Sequence, residues 1–326
     1  MVPQPNPLET AAQRPVVIVG AGALGSLLAA RLSQAGLAVV LVGRAAQVQA
    51  IQQGGLTVHD DAGTQVLSVP ATTDIGVVGQ AGLVLLCVKS GDTENAARDL
   101  AAPLLHDTPL LSLQNGVANA PLLALRLQRP VLAGAAYIAA ALEGPGVVRH
   151  AGGRSIVMGA VPGPQGHALP EAAIHLAQQR LQAAGFDVRL SAAPQNELWR
   201  KLAINCACNA ISALAQAPYG VMATVPAVRE LQHAVVREAV AVAQAEGQAL
   251  ALEDILGAVD RVAQTMSRQR SSTAQDLARG RRSEVEHING EVLRAGARHG
   301  LATPANHALW ALVKLCEAMQ TRNHPV

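Results

Sequence analysis

Aromatic residues are nearly missing from this chain of 326 residues, which holds two Trp, two Tyr and one Phe. The interior must therefore be filled by Ala, Leu, Val and Gly, a mixture suited to helices packed closely against a sheet. Cysteine is scarce as well. Cys87, Cys206, Cys208 and Cys316 form no CxxC pair and no paired framework. That excludes a disulfide scaffold and predicts small buried thiols in a reducing, cytoplasmic compartment. Neither sign of charge dominates: 25 basic and 23 acidic residues leave a net charge of +2. The basic residues are scattered, so no nucleic-acid partner is predicted. Ten histidines show no metal-ligand spacing, and no metal is expected. Long hydrophobic runs are lacking too. The stretch from Val16 to Gly43 is interrupted by Arg31, Ser33 and Gln34 and contains five glycines, which argues against a membrane span. The opening MVPQPNPLETAAQRP reads as a polar arm rather than a secretory signal.

The same apolar stretch carries a specific signal. Val16–Val19 form a β-branched run, and Gly20, Gly22 and Gly25 then follow as G-x-G-x-x-G. A helix is predicted from about Ala23 to Ala35, stopped by Gly36, with a second strand from Ala38 to Val42. In this context the loop GAGALG (Gly20, Ala21, Gly22, Ala23, Leu24, Gly25) reads as a dinucleotide-binding turn that offers free N–H groups to a pyrophosphate. The alternative is a glycine-rich turn without a ligand. The second strand ends in Gly43-Arg44 with no acid nearby in sequence. An acid there would hold the ribose 2′-hydroxyl of NAD, whereas an arginine can grip a 2′-phosphate, so NADP(H) is expected unless Arg44 is a plain surface charge. LVLLCVKS (83–90) and PLLSLQNGVAN (109–119) read as central parallel strands ending in Lys89 and Asn115. Those ends belong to the edge where doubly wound sheets bind ligands, although Asn115-Gly116 could equally be a turn. From Val131 the pieces VLAGAAYIAAAL, GVVRHAG and RSIVMG predict an antiparallel extension, followed by a helix over 171–184.

After Ala193-Pro194 the character becomes helical. QNELWRKLAINCACNAISALAQA predicts one long helix and RELQHAVVREAVAVAQAEG another. SRQRSSTAQDLARG, SEVEHINGEVLRAGARHG and a helix opening at Thr303-Pro304 follow. Within the first, Lys201, Asn205 and Asn209 interrupt an apolar run four residues apart, which stacks them on one face. Chemistry alone leaves two readings open: a ligand-facing polar edge, or a snorkelling lysine above locally bonded asparagines.

The blocks GAGALG, CVKS, QNG at 114–116, KLAINCACN at 201–209 and SSTAQDLARGRRSEVEHING at 271–290 resemble the ketopantoate reductases, or 2-dehydropantoate 2-reductases of the PanE/ApbA group. The resemblance runs from about Val16 to Glu317. It implies an NADPH-dependent reduction of a small 2-oxo acid, with Lys201 as general acid. It implies that Asn115 holds nicotinamide and substrate together and that Lys89 lies beside the cofactor. Asn205, Asn209, Ser272 and Glu284 would bind substrate, Glu284 through its hydroxyls. Glu284 could otherwise simply favour the first turn of a helix. One position departs from the pattern: Pro218-Tyr219-Gly220 stands where such reductases carry a substrate-binding asparagine. That leaves room for a related 2-oxo acid.

The expected architecture is α/β: a Rossmann-type doubly wound domain over 14–191 and an all-helical domain over 192–322, with the active site in the cleft between them. The oligomer would be a monomer or homodimer, with the helices between 225 and 265 available for an interface. A rival from another class, a dinucleotide-sensing protein without chemistry, would show erosion of Lys201 or Glu284, and both are present.

Overall fold

The computed structural model describes residues 13–323. Most of the N-terminal arm expected from the sequence, up to residue 12, lies outside the described residues. The chain divides into two compact units. The first runs to Gln114 and resumes over Ala118–Pro194; the second holds Asn115–Val117 and the chain from Gln195 onward.

The first unit is built on one curled sheet. Its strands are β1 (Val16–Val19), β2 (Val39–Val42), β3 (Leu56–Asp60), β4 (Gly63–Leu67), β5 (Ala71–Thr72), β6 (Leu83–Leu86), β7 (Leu110–Ser112), β8 (Val131–Gly144), β9 (Val147–Val161) and β10 (Asp187–Leu190). They lie in the order β4-β3-β9-β8-β7-β6-β1-β2-β5, with β10 on β9. From β5 through β8 the neighbours are parallel, which is the doubly wound Rossmann order. Valine and leucine runs suit this position because both faces of a parallel sheet are covered. Helix α1 (Ala23–Gln34) covers one face with Leu27, Leu28 and Leu32, all fully buried. Each such side chain contributes about 1.5–3 kcal/mol by leaving water. The helix ends where Gly36 turns left-handed, as the sequence predicts. β8 and β9 form the expected antiparallel extension. The β3–β4 hairpin was not anticipated. It turns through Gly63 and joins the sheet by pairing β3 parallel to β9.

The remaining helices of the first unit are α2 (Ala45–Gly54), α3 (Thr93–Leu100), α4 (Asn119–Leu127) and α5 (Glu171–Ala183). The second unit contains helices and no strand among its described residues. It contains α6 (Pro194–Ala215), α7 (Tyr219–Ala223), α8 (Pro226–Ala245), α9 (Leu252–Thr265), α10 (Ser272–Ala278), α11 (Asn289–Arg298) and α12 (Pro304–Asn323). Trp199, Leu202, Ala203, Cys206, Ala207 and Ala210 bury one side of α6 almost completely. The helix stops at Gln216, whose backbone is left-handed and whose side-chain amide donates to the Ala213 carbonyl.

The segment 283–298, expected as a continuous helical stretch, is broken. Val285–His287 form a single 3-10 turn, and α11 starts only at Asn289. Tertiary polar contacts override the local pattern here. The Asn289 amide donates to the Cys206 carbonyl and to Asn306 Oδ1, while Ser283 is held by Glu317. Among the described residues, no helix is long and apolar enough to cross a membrane.

Candidate active site

In the first unit the glycine loop lies at the carboxyl end of β1. Gly20 has φ +112°, and a Cβ there would strike the backbone of Cys87 and Val88 at 2.7 Å. A Cβ on Gly25 would come within 2.0 Å of the Gly20 carbonyl oxygen, so this glycine is what lets α1 touch the strand end. Gly22 differs from both: a Cβ there meets nothing within 4 Å. The loop therefore has open space above Gly22. The first intrahelical bond runs from Ser26 N–H to the Gly22 carbonyl, leaving the N–H groups of Ala23, Leu24 and Gly25 without helical acceptors. Open space and unspent N–H groups at a helix start fit the pyrophosphate of a dinucleotide.

The neighbouring strand ends complete this corner. Gly43 packs against Ala21 of the loop, where a Cβ would sit 2.5 Å from the alanine's own. Arg44 follows with 90% of its side chain exposed. Lys89 is exposed and opens the 3-10 turn Ser90–Asp92 after β6. No acid lies near Arg44 in sequence, but one does in space: Asp92 Oδ2 is 3.2 Å from the guanidinium. The acid comes from the end of β6, because β2 and β6 flank β1 and their ends converge on the same loop. The sequence gives no local sign of this. Beneath the turn runs a buried polar chain that was also missed. Gln114 Nε2 donates to Thr93 Oγ1 (2.7 Å), Thr93 Oγ1 to Asn119 Oδ1 (2.8 Å), and Asn119 Nδ2 to Ser90 Oγ (3.1 Å).

In the second unit Lys201, Asn115 and Glu284 come together. Lys201 Nζ donates to Asn115 Oδ1 at 2.9 Å, and Asn115 Nδ2 donates to Glu284 Oε2 at 2.8 Å. The amide thus joins an ammonium to a carboxylate, each on the end suited to it. Burial pulls the lysine from its ordinary 10.5 down to about 8, with the Glu284 charge opposing the fall. Asn205 is half-buried and Asn209 buried, one and two turns along α6. Among the described residues, neither side-chain amide has a hydrogen-bond partner.

Ser272 is exposed at the first position of α10. Its neighbour Ser271 is the buried cap. Ser271 Oγ accepts from Ala274 N–H and donates to the Asn209 carbonyl, each at 3.0 Å. A serine just ahead of a helical stretch was a legible cap signal. Glu284 stands before the 3-10 turn and not in an α-helix. The backbone N–H and hydroxyl of Ser283 both donate to Glu317 Oε1 at 2.8 Å, which fixes the residue preceding it. Tyr219 is buried, and desolvation raises its phenol pKa beside the Cys208 thiol, itself pushed up to about 12 by burial.

Known proteins resemble this chain in sequence and fold. The family described as ketopantoate reductase PanE/ApbA matches residues 16–163, and its C-terminal counterpart matches residues 194–317. The 2-dehydropantoate 2-reductase of Halobacterium salinarum is 35% identical over 305 residues, covering 93% of this chain and 98% of that protein. A PanE/ApbA family ketopantoate reductase from Ralstonia eutropha JMP134 superimposes with TM-score 0.84 at 42% identity, over 94% of this chain and 99% of its own. D-mandelate dehydrogenase in complex with NADH superimposes with TM-score 0.83 at 25% identity, over 94% and 99%. Matched along both halves and aligned nearly end to end with its relatives, the chain belongs to the ketopantoate reductase PanE/ApbA family of oxidoreductases.

Proposed function

We propose that the protein reduces 2-dehydropantoate to D-pantoate with NADPH, a step of pantothenate and coenzyme A synthesis in the cytoplasm. The observation that carries this is the chain Lys201–Asn115–Glu284, an ammonium of lowered pKa tied through one amide to a carboxylate. Gly20, Ala21, Gly22, Ala23, Leu24 and Gly25 hold the pyrophosphate, Arg44 the 2′-phosphate, and Lys89 lies beside the dinucleotide. When bound, the reduced nicotinamide supplies hydride for the 2-oxo carbon. Lys201 faces the carbonyl oxygen, stabilises the charge that grows there and gives up its proton. At neutral pH a lysine with a pKa of about 8 is still mostly charged, yet releases a proton far more readily than a free one. Glu284 accepts from the substrate hydroxyl. Asn205 and Asn209 hold substrate oxygens with amide capacity that the fold leaves unspent, and Ser272 contacts the carboxylate. The four free thiols suit a reducing compartment.

The test is NADPH oxidation with 2-dehydropantoate. Lys201→Ala is expected to lose turnover by about 10²–10⁴-fold, the usual worth of a positioned general acid, while binding NADPH as before. Near-normal turnover in that variant would remove the mechanism. A second reading, reduction of a related 2-oxo acid, is favoured by Tyr219, which fills with a buried phenol the place of an expected substrate-binding asparagine. A panel of 2-oxo acids with and without the 4-hydroxyl separates the two, since a carboxylate that has lost its hydroxyl donor discriminates strongly.

A further inference from the structure

We infer that Asp92 is a cofactor-discriminating residue, set against Arg44 so that the protein's preference between NADPH and NADH is determined by the pair. The inference rests on the reading that the Gly20–Gly25 loop holds a dinucleotide with Arg44 at its 2′ position. Three observations support it. Asp92 Oδ2 and Arg44 Nη2 are 3.2 Å apart, in the segments that follow β6 and β2, the strands on either side of β1. Asp92 also stands at the N-cap position of α3, yet its carboxylate makes no capping bond and reaches Arg44 instead. Its support is firm. Ser90 and Thr93, two residues before it and one after, are 4% and 1% exposed and tied into the buried chain through Asn119. The backbone that carries the carboxylate is therefore anchored beside Arg44, while the arginine side chain, 90% exposed against 45% for Asp92, can turn to a better partner.

The chemistry of the two cofactors then separates. A 2′-phosphate gains from the guanidinium fork but meets a second negative charge already at that fork. A 2′-hydroxyl loses nothing to Arg44 and can donate to the carboxylate, the role an acid plays in NAD sites. Arg44 thus favours NADPH, Asp92 opposes it, and the native pair compresses the difference.

The experiment is a fluorescence titration of the full chain with NADPH and with NADH, without a 2-oxo acid, so that no turnover is needed. Asp92→Asn, which keeps size and removes charge, is expected to raise the NADPH-to-NADH affinity ratio by about tenfold or more. Arg44→Ala is expected to lower it by at least as much. Because the pair is exposed, both variants should melt with the wild type. A ratio within twofold of wild type for Asp92→Asn overturns the inference. If Arg44→Ala still shifts the ratio, only the inference falls. If neither variant shifts it, the assignment of Arg44 falls too, and with it the basis for preferring NADPH.

Discussion

The mechanism proposed for Lys201 asks two opposed things of it. To act as an acid it must be charged, and as a half-buried, desolvated side chain it is penalised for being so. Its value of about 8 in the fold, against 10.5 when free, fixes the sign of both consequences. Turnover in the direction of reduction needs the protonated form, so the rate should fall as pH rises through about 8. Stability behaves the other way. The charged form is disfavoured in the fold, so the cost is fully present below pH 8 and fades as pH rises towards 10.5. Lys201→Met keeps most of the volume and removes the charge. Thermal melts at pH 7 should show that variant more stable by about 1–3 kcal/mol, discounted for residual solvent and for the attraction Glu284 loses. At pH 10 the gain should largely vanish. A gain that stays constant with pH would mean that packing, not charge, set it.

At the level of elements, the strand–loop–helix unit allows a paired test. Gly25→Ala places a methyl 2.0 Å from the Gly20 carbonyl oxygen, and backbone cannot yield that far. Gly22→Ala adds the same methyl where nothing lies within 4 Å, at φ −81°, which alanine accepts. The first should lower stability by about 2 kcal/mol or more, as overpacking against fixed atoms does. The second should melt within about 0.5 kcal/mol of wild type and still fail to bind NADPH, because the methyl fills the space a pyrophosphate needs. Melting curves and NADPH titrations of the two variants decide it: normal binding by Gly22→Ala would show that the open space is not the phosphate site. This unit was fully legible in the sequence, because a tight turn, an open approach and a close packing each demand glycine at a fixed spacing. Helix α6 was legible for a similar reason, its polar residues recurring at the helical period. What escaped was set by tertiary contact. The acid beside Arg44 arrives from another strand end, and the break at Ile288 follows from Asn289 bonding across to α6 and α12. The β3–β4 hairpin finds its partner, β9, about ninety residues later in the chain.

For the whole molecule, the residues proposed to act divide by proposed task between the two units. The glycine loop, Arg44 and Lys89 fall in the first unit, and Lys201, Asn205, Asn209, Ser272 and Glu284 in the second. Asn115 is the exception: its unit is the second, although Gln114 and Ala118 on either side of it belong to the first. Its amide links the Lys201 ammonium to the Glu284 carboxylate. Kinetic constants should sort in the same way. Arg44→Ala should raise KM for NADPH by tenfold or more, on the order of a lost charge-assisted pair, and leave KM for the 2-oxo acid within about twofold. Glu284→Gln should do the reverse, since a neutral amide still accepts but no longer as a charge. Asn115→Ala should move both constants and lower kcat by about 10–100-fold, because it frees the ammonium from its orientation as well as removing a contact. Initial rates with each substrate varied in turn measure all three. If Asn115→Ala changed only the KM for the 2-oxo acid, the residue would be a substrate contact and nothing more, and the link it makes between Lys201 and Glu284 would have no part in turnover.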